Sequence, residues 1–266
     1  MKEHTAPHHT SHLAHHASHE APFLSVIIPS YNESHRLPKT LIDIDKHLSK
    51  VDYHYEILVV NDGSKDNTGE VVKKMEGSIK NLVLIDNEVN KGKGGVVKQG
   101  MLAAKGRVRL FTDADNSTSI DQFAHMLPFF KEGYQVVIGS RAIKGARLHP
   151  PQPWYRQIAG RGGNLIIQTL VLPGIWDTQC GFKAFTAEAA EKIFQHMKME
   201  RWSFDIEVLA LAKLYKFRIK EIPVSWVNDI HSRVDASAYI KVLRDTLLIR
   251  WWLWTNKYKP LPIKRP

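Results

Sequence analysis

The runs FLSVIIPS (23–30), YEILVVNDGS (55–64), NLVLIDN (81–87), RVRLFTDAD (107–115) and YQVVIGSR (134–141) are short, apolar and rich in β-branched residues. Most of them close on polar turn residues, and they read as buried strands. The stretches between have helical spacing. Leu37, Leu41, Ile44 and Leu48 fall on one face within 33–50. Polar residues after 64 and the segments 94–104 and 119–131 also read as helices. Neighbouring parallel strands need a crossover, usually a helix, so this alternation implies a doubly wound, mostly parallel α/β sheet flanked by helices. Ligands of such sheets sit at the carboxyl ends of the strands. SYNE, NDGSKDNT, DAD and SR all fall at that edge.

After residue 141 the alternation loosens. KGARLHPPQPWYRQ (144–157) is a proline-rich loop, and 158–172 and 201–212 look helical. With 266 residues and 43% apolar content, the chain is long enough for a sizeable core in one domain with an appendage. Its one cysteine, Cys180, excludes an intramolecular disulfide and fits a reducing compartment. No base pattern accompanies Cys180, so it reads as packing.

The net charge of +10 points to an anionic partner: nucleic acid, a phosphorylated small molecule or a membrane surface. From Lys241 to the end, seven Lys/Arg face one acid, Asp245, so six of the ten surplus charges lie there. Within YIKVLRDTLLIRWWLW (239–254), Ile240, Leu243, Leu247, Trp251 and Trp254 recur at helical spacing among basic residues. Tryptophan beside Lys/Arg suits a lipid headgroup region, and 236–266 is expected to be an amphipathic, basic, membrane-associating tail. No run reaches the roughly 18–20 apolar residues that span a bilayer. The N-terminus lacks an apolar signal-peptide core. Residues 1–21, with seven of the fourteen histidines, are expected to be a disordered leader. The basic charge lies in a tryptophan-rich tail and no nucleic-acid motif appears, which counts against a nucleic-acid partner.

No Gly-x-Gly-x-x-Gly follows the first strand, and NKGKGG (90–95) lacks Walker A spacing. Asp113 and Asp115 flank Ala114 past the fourth strand. A plain turn would explain them. So would a hard cation, which takes one or two carboxylates together with substrate phosphates.

In order and spacing, SVIIPSYNE, ILVVNDGSKDNT, NKGKGGVVKQGM, TDADNST and GSR resemble family-2 glycosyltransferases of the GT-A fold, from about residue 24 to residue 233. DTQCGFKAF (177–185) and RWSFDIEVLALA (201–212) are similar to the dolichyl-phosphate β-glucosyltransferase branch. The resemblance implies a GT-A domain over 22–235 and a metal-dependent hexosyltransferase using Mg2+ or Mn2+. It implies inverting transfer of glucose from UDP-glucose to a polyprenyl phosphate by a cytoplasmic protein, peripheral on the cytosolic membrane face. A membrane partner or a homo-oligomer stays open. A GDP-mannose-dependent polyprenyl-phosphate mannosyltransferase and a transferase acting on a non-lipid glycan are the rivals within the class.

The resemblance also implies roles. Pro29, Tyr31, Asn32 and Glu33 line the base and ribose pocket. Asp62 accepts from the uracil, with Gly63 and Ser64 making the turn. Asn61 stands where many members carry an acid. Lys91 and Lys93 approach the nucleotide, and the Asp113–Ala114–Asp115 stretch holds the donor. Asp115 is the metal ligand, and Asp113 faces ribose or sugar, with a share in the metal. Arg141, Arg161 and Arg233 face the pyrophosphate or the acceptor phosphate, Ser232 joins Arg161 and Arg233 at the acceptor phosphate, and Arg141 and Arg161 count among the catalytic residues. Asp177 acts as a general base or positions the acceptor, and positioning is favoured because a lipid phosphate is already an anion. Asp205 and Glu207 read as charges at a helix N-terminus.

Overall fold

The structure, a computed structural model, describes residues 21–151, 154–227 and 236–258. The histidine-rich leader, Ser232 and Arg233 therefore lie outside the described residues, apart from Ala21. The five expected strands form as β1 (Leu24–Ser30), β2 (Tyr55–Asp62), β3 (Leu82–Asn87), β4 (Val108–Thr112) and β5 (Val136–Ser140). A short strand β6 (Arg147–His149), then β7 (Phe182–Thr186), β8 (Ile219–Pro223) and β9 (Ser225–Val227) follow. The main sheet runs β3-β2-β1-β4-β7-β5-β8, and β6 pairs with β9 apart from it.

The sheet is mostly parallel, but β7 runs antiparallel to both β4 and β5. The chain leaves β5 at the carboxyl edge, makes a long excursion and returns to the sheet from that same edge. Strand β7 therefore starts where β4 ends, with Phe182 paired to Thr112. This reversal delivers the segment 177–181 to the edge where the polar loops gather.

The helices are α1 (Leu37–Leu48), α2 (Thr68–Met75), α3 (Lys93–Ala103), α4 (Leu127–Lys131), α5 (Trp154–Leu170), α6 (Ala187–His196), α7 (Phe204–Leu214) and α8 (Ala236–Trp254). The helix expected over 119–131 is broken into a 3-10 turn (Ile120–His125) and the short α4. Pro128, in the first turn of α4, has no N–H to give to a continuous helix.

Adjacent strand residues point to opposite faces, so each strand feeds two layers. Ile27, Val60, Phe111 and Phe185 pack in one layer with residues of α3, α6 and α7. Ile28, Val59 and Leu110 pack in the other with Leu37, Leu41 and Ile44 of α1. Ile249 of α8 and Tyr258 beyond it join the first layer.

Candidate active site

Two loops meet above β1 and β2. The Asn32 amide donates to Ser64 Oγ at 2.9 Å, and the Lys65 amide donates to Asn32 Oδ1 at 2.8 Å. The Glu33 amide donates to Thr68 Oγ1 at 2.9 Å, and the Glu33 carboxylate pairs with Arg36 at 2.6 Å. Pro29, Asn32, Glu33, Asp62 and Gly63 thus share one edge, with Tyr31 exposed beside them. Asn61 donates through Nδ2 to Asp86 at 2.6 Å and accepts the Ser64 amide at 3.3 Å. An ionised acid at 61 has no hydrogen to give Asp86, which is a physical reason for the amide found there.

The glycine-rich loop is engaged within the chain. The Lys91 amide donates to Asp62 Oδ1 at 2.6 Å, and the Asn90 side chain donates to Asp62 Oδ2 at 3.0 Å. The Gly95 amide, in the first turn of α3, donates to the Glu200 carbonyl at 3.0 Å. A Cβ on Gly92 or Gly94 would strike the carbonyls of Glu200 and Met199. These glycines let the segment before α7 press onto the start of α3. The Lys91 ammonium is held by Asn87 at 2.6 Å and Gln99 at 3.0 Å. Lys93 instead reaches the acidic turn, 2.6 Å from Asp113 Oδ1.

In that turn the Ala114 carbonyl accepts from Thr40 Oγ1 of α1 at 2.7 Å, which ties the backbone down. Asp115 Oδ1 accepts the Ser117 amide at 2.9 Å. Among the described residues, no other bond to the Asp115 carboxylate is found. Among the described residues, no group of three or more His, Cys, Asp or Glu is arranged to hold a metal by itself. The donor set nonetheless fits Mg2+ or Mn2+, which bind through one or two carboxylates and complete their shell with water and substrate phosphate.

Past the end of β5, Arg141 is locked to Asp177. The guanidinium donates through Nε to Oδ2 at 2.8 Å and through Nη2 to Oδ1 at 3.0 Å, and the Arg141 amide adds a bond of 2.9 Å. Burial pushes the Asp177 carboxyl up, but Arg141 outweighs it and leaves it below the ordinary carboxylate value. Trp226 lies under the Arg141 guanidinium, 4.7 Å from ring centroid to Cζ. The amides of Trp176 and Asp177 both donate to the Glu221 carboxylate, at 2.9 and 3.0 Å. Arg161 is exposed on α5. Burial lifts the Cys180 thiol to about 12, which leaves it protonated and in a packing role.

Several residues of the site carry no legible sign in the sequence. A Cβ on Gly181 would overlap the Asp113 carboxylate, so β7 approaches the acidic turn as closely as a backbone allows. Lys183 is fully buried and donates to Asp205 Oδ1 at 2.6 Å and to the Cys180 carbonyl. Asp205 and Glu207 do lie in the first turn of α7, but both are buried and engaged. Glu207 accepts from the Lys198 and Met199 amides and from Tyr258 Oη, at 3.0, 2.7 and 2.7 Å. The one visible signal is Lys183 itself, a cation in the middle of the apolar strand FKAFT.

Residues 25–194 match the family model described as Glycosyl transferase family 2. Dolichyl-phosphate β-glucosyltransferase of Dictyostelium discoideum is 39% identical over 244 residues, which cover 86% of this chain and 74% of that protein. The Homo sapiens dolichyl-phosphate β-glucosyltransferase is 34% identical over 251 residues, covering 89% and 77%. Glucosyl-3-phosphoglycerate synthase from Mycobacterium tuberculosis, solved with Mn2+, UDP and glucosyl-3-phosphoglycerate, shares the fold. Its TM-score is 0.60 at 18% identity, covering 86% of this chain and 80% of that one. Motif order, mixed sheet and relatives agree, and the chain belongs to glycosyl transferase family 2.

Proposed function

We propose that this protein transfers glucose from UDP-glucose to a polyprenyl phosphate, with inversion at the anomeric carbon, at the cytosolic face of a membrane. The observation that carries the reading is the two-pronged Arg141–Asp177 pair. A carboxylate so engaged is poorly placed to take a proton from a sugar hydroxyl. It is well placed to aim a guanidinium at an acceptor that is already anionic, and arginine's planar fork suits a phosphate. The names of the most similar relatives point the same way.

In this reading Asp62, Asn32 and Glu33 hold the nucleoside, and Asp115 holds the Mg2+ or Mn2+ ion. That ion, when bound, offsets charge growing on the departing UDP. Lys93 turns from Asp113 to the diphosphate, which frees Asp113 for ribose or sugar. Arg141 and Arg161 steer the acceptor. An acceptor phosphate oxygen attacks the anomeric carbon from the face opposite UDP. The new C–O bond forms as the old one breaks, and UDP departs with the electron pair.

Helix α8 supports the membrane part. Ile249 and the partly buried Val242 and Leu253 pack inward. Ile240, Leu243, Leu247, Trp251 and Trp254 form a second apolar stripe that stays exposed, from 40% at Leu243 to 79% at Trp254. Exposed Lys241, Arg244 and Arg250 lie around it. An apolar stripe with cations beside it suits the boundary between headgroups and acyl chains of anionic lipids. Among the described residues, no helix is long and apolar enough to cross a membrane.

The test is Asp115→Ala. It should lower transfer by about a thousandfold or more, since both the donor grip and the charge compensation rest there, while the far-ultraviolet circular dichroism stays unchanged. Wild-type activity in that variant would remove Asp115 from the metal role.

A further inference from the structure

Trp202 is the most conspicuous side chain near the acidic turn that the reading above leaves unused. Its indole is 71% exposed, although burial is the usual fate of so large an apolar ring. It is not a loose surface residue. The residues on either side are tied down: the Glu200 carbonyl takes the Gly95 amide at 3.0 Å, and the Ser203 side chain donates through Oγ to Asp245 at 2.7 Å. Just upstream, the Met199 amide donates to the Glu207 carboxylate at 2.7 Å. The glycines at 92 and 94 exist to let this segment sit against α3.

The indole lies beside the first lysine of α3. The Lys93 ammonium lies 5.2 Å from the Trp202 ring centroid and 2.6 Å from Asp113 Oδ1. One ammonium thus touches both a carboxylate and an aromatic face. A pyranose has matching chemistry: hydroxyls around its rim for a carboxylate, and a face of C–H groups for an aromatic ring. Once Lys93 turns to a diphosphate, as in the reading above, the carboxylate and the ring it touched are both free for a donor sugar.

We propose that Trp202 stacks on the donor hexose and, with Asp113, forms the walls of the sugar subsite. The inference rests on the nucleotide-sugar reading above. Preorganised aromatic contact of this kind acts on the sugar and not on the nucleotide, so it separates the two in a binding experiment.

The experiment is calorimetric titration of wild type, Trp202→Ala and Trp202→Phe with UDP and with UDP-glucose, all in Mn2+. Trp202→Ala should lose about tenfold in UDP-glucose affinity and change UDP affinity by less than about twofold. Trp202→Phe, which keeps an aromatic face, should retain most of the UDP-glucose affinity. Equal losses for both ligands, or no loss for either, would overturn the sugar-wall role while leaving the donor reading intact. Wild type that binds UDP but not UDP-glucose would overturn the donor reading, and the inference with it.

Discussion

Gly181 shows how tightly single residues set this site. The carboxylate of Asp113 occupies the place where a side chain at 181 would begin. Gly181→Ala should therefore push Asp113 aside and slow transfer by about a hundredfold, the scale expected when a reacting group is misplaced by about an ångström. The check is the transfer rate beside the thermal midpoint. Full activity would mean that Asp113 is not positioned from β7. At this scale the sequence located candidate residues by strand ends: Asp62, Asp113, Asp115 and Arg141 all lie at or just past one, as expected. It was silent on Lys183 with Asp205, because these partners are 22 residues apart on different elements and no local pattern encodes their meeting. The two-pronged Arg141–Asp177 pair spans 36 residues and was hidden for the same reason.

Elements were legible in kind and less so in direction. The first five strands and the first three helices follow from apolar runs and helical spacing, because local periodicity reflects which faces are buried. The reversal of β7 was not legible, since strand direction depends on the route of the long connection that precedes it. Helix α8 is subtler. Its apolar residues fall on two faces: those whose spacing stood out in the sequence are the exposed ones, and the inward Val242, Ile249 and Leu253 were not singled out. The exposed face can be tested by Leu247→Glu combined with Trp251→Glu. That variant should bind vesicles of anionic phospholipid at least about tenfold more weakly than wild type and keep its affinity for UDP. Unchanged vesicle binding would deny the stripe its role. Point changes serve better than truncation here, because Tyr258, just past α8, bonds to the buried Glu207 at 2.7 Å.

Across the whole molecule, one edge of one sheet gathers the parts a nucleotide-sugar transferase needs. The loops proposed to hold the nucleoside cap β1 and β2, the acidic turn follows β4, and the reversed β7 brings Asp177 and Gly181 to the same edge. The second apolar stripe of α8 lies exposed in solvent. The most direct measurement is transfer of radiolabel from UDP-glucose, GDP-mannose or UDP-N-acetylglucosamine to a short polyprenyl phosphate, with Mn2+ or with EDTA. The expected result is label in the lipid phase from UDP-glucose alone, abolished by EDTA. Label from GDP-mannose instead, or no lipid-phase label from any donor while UDP still binds, would contradict the proposed reaction.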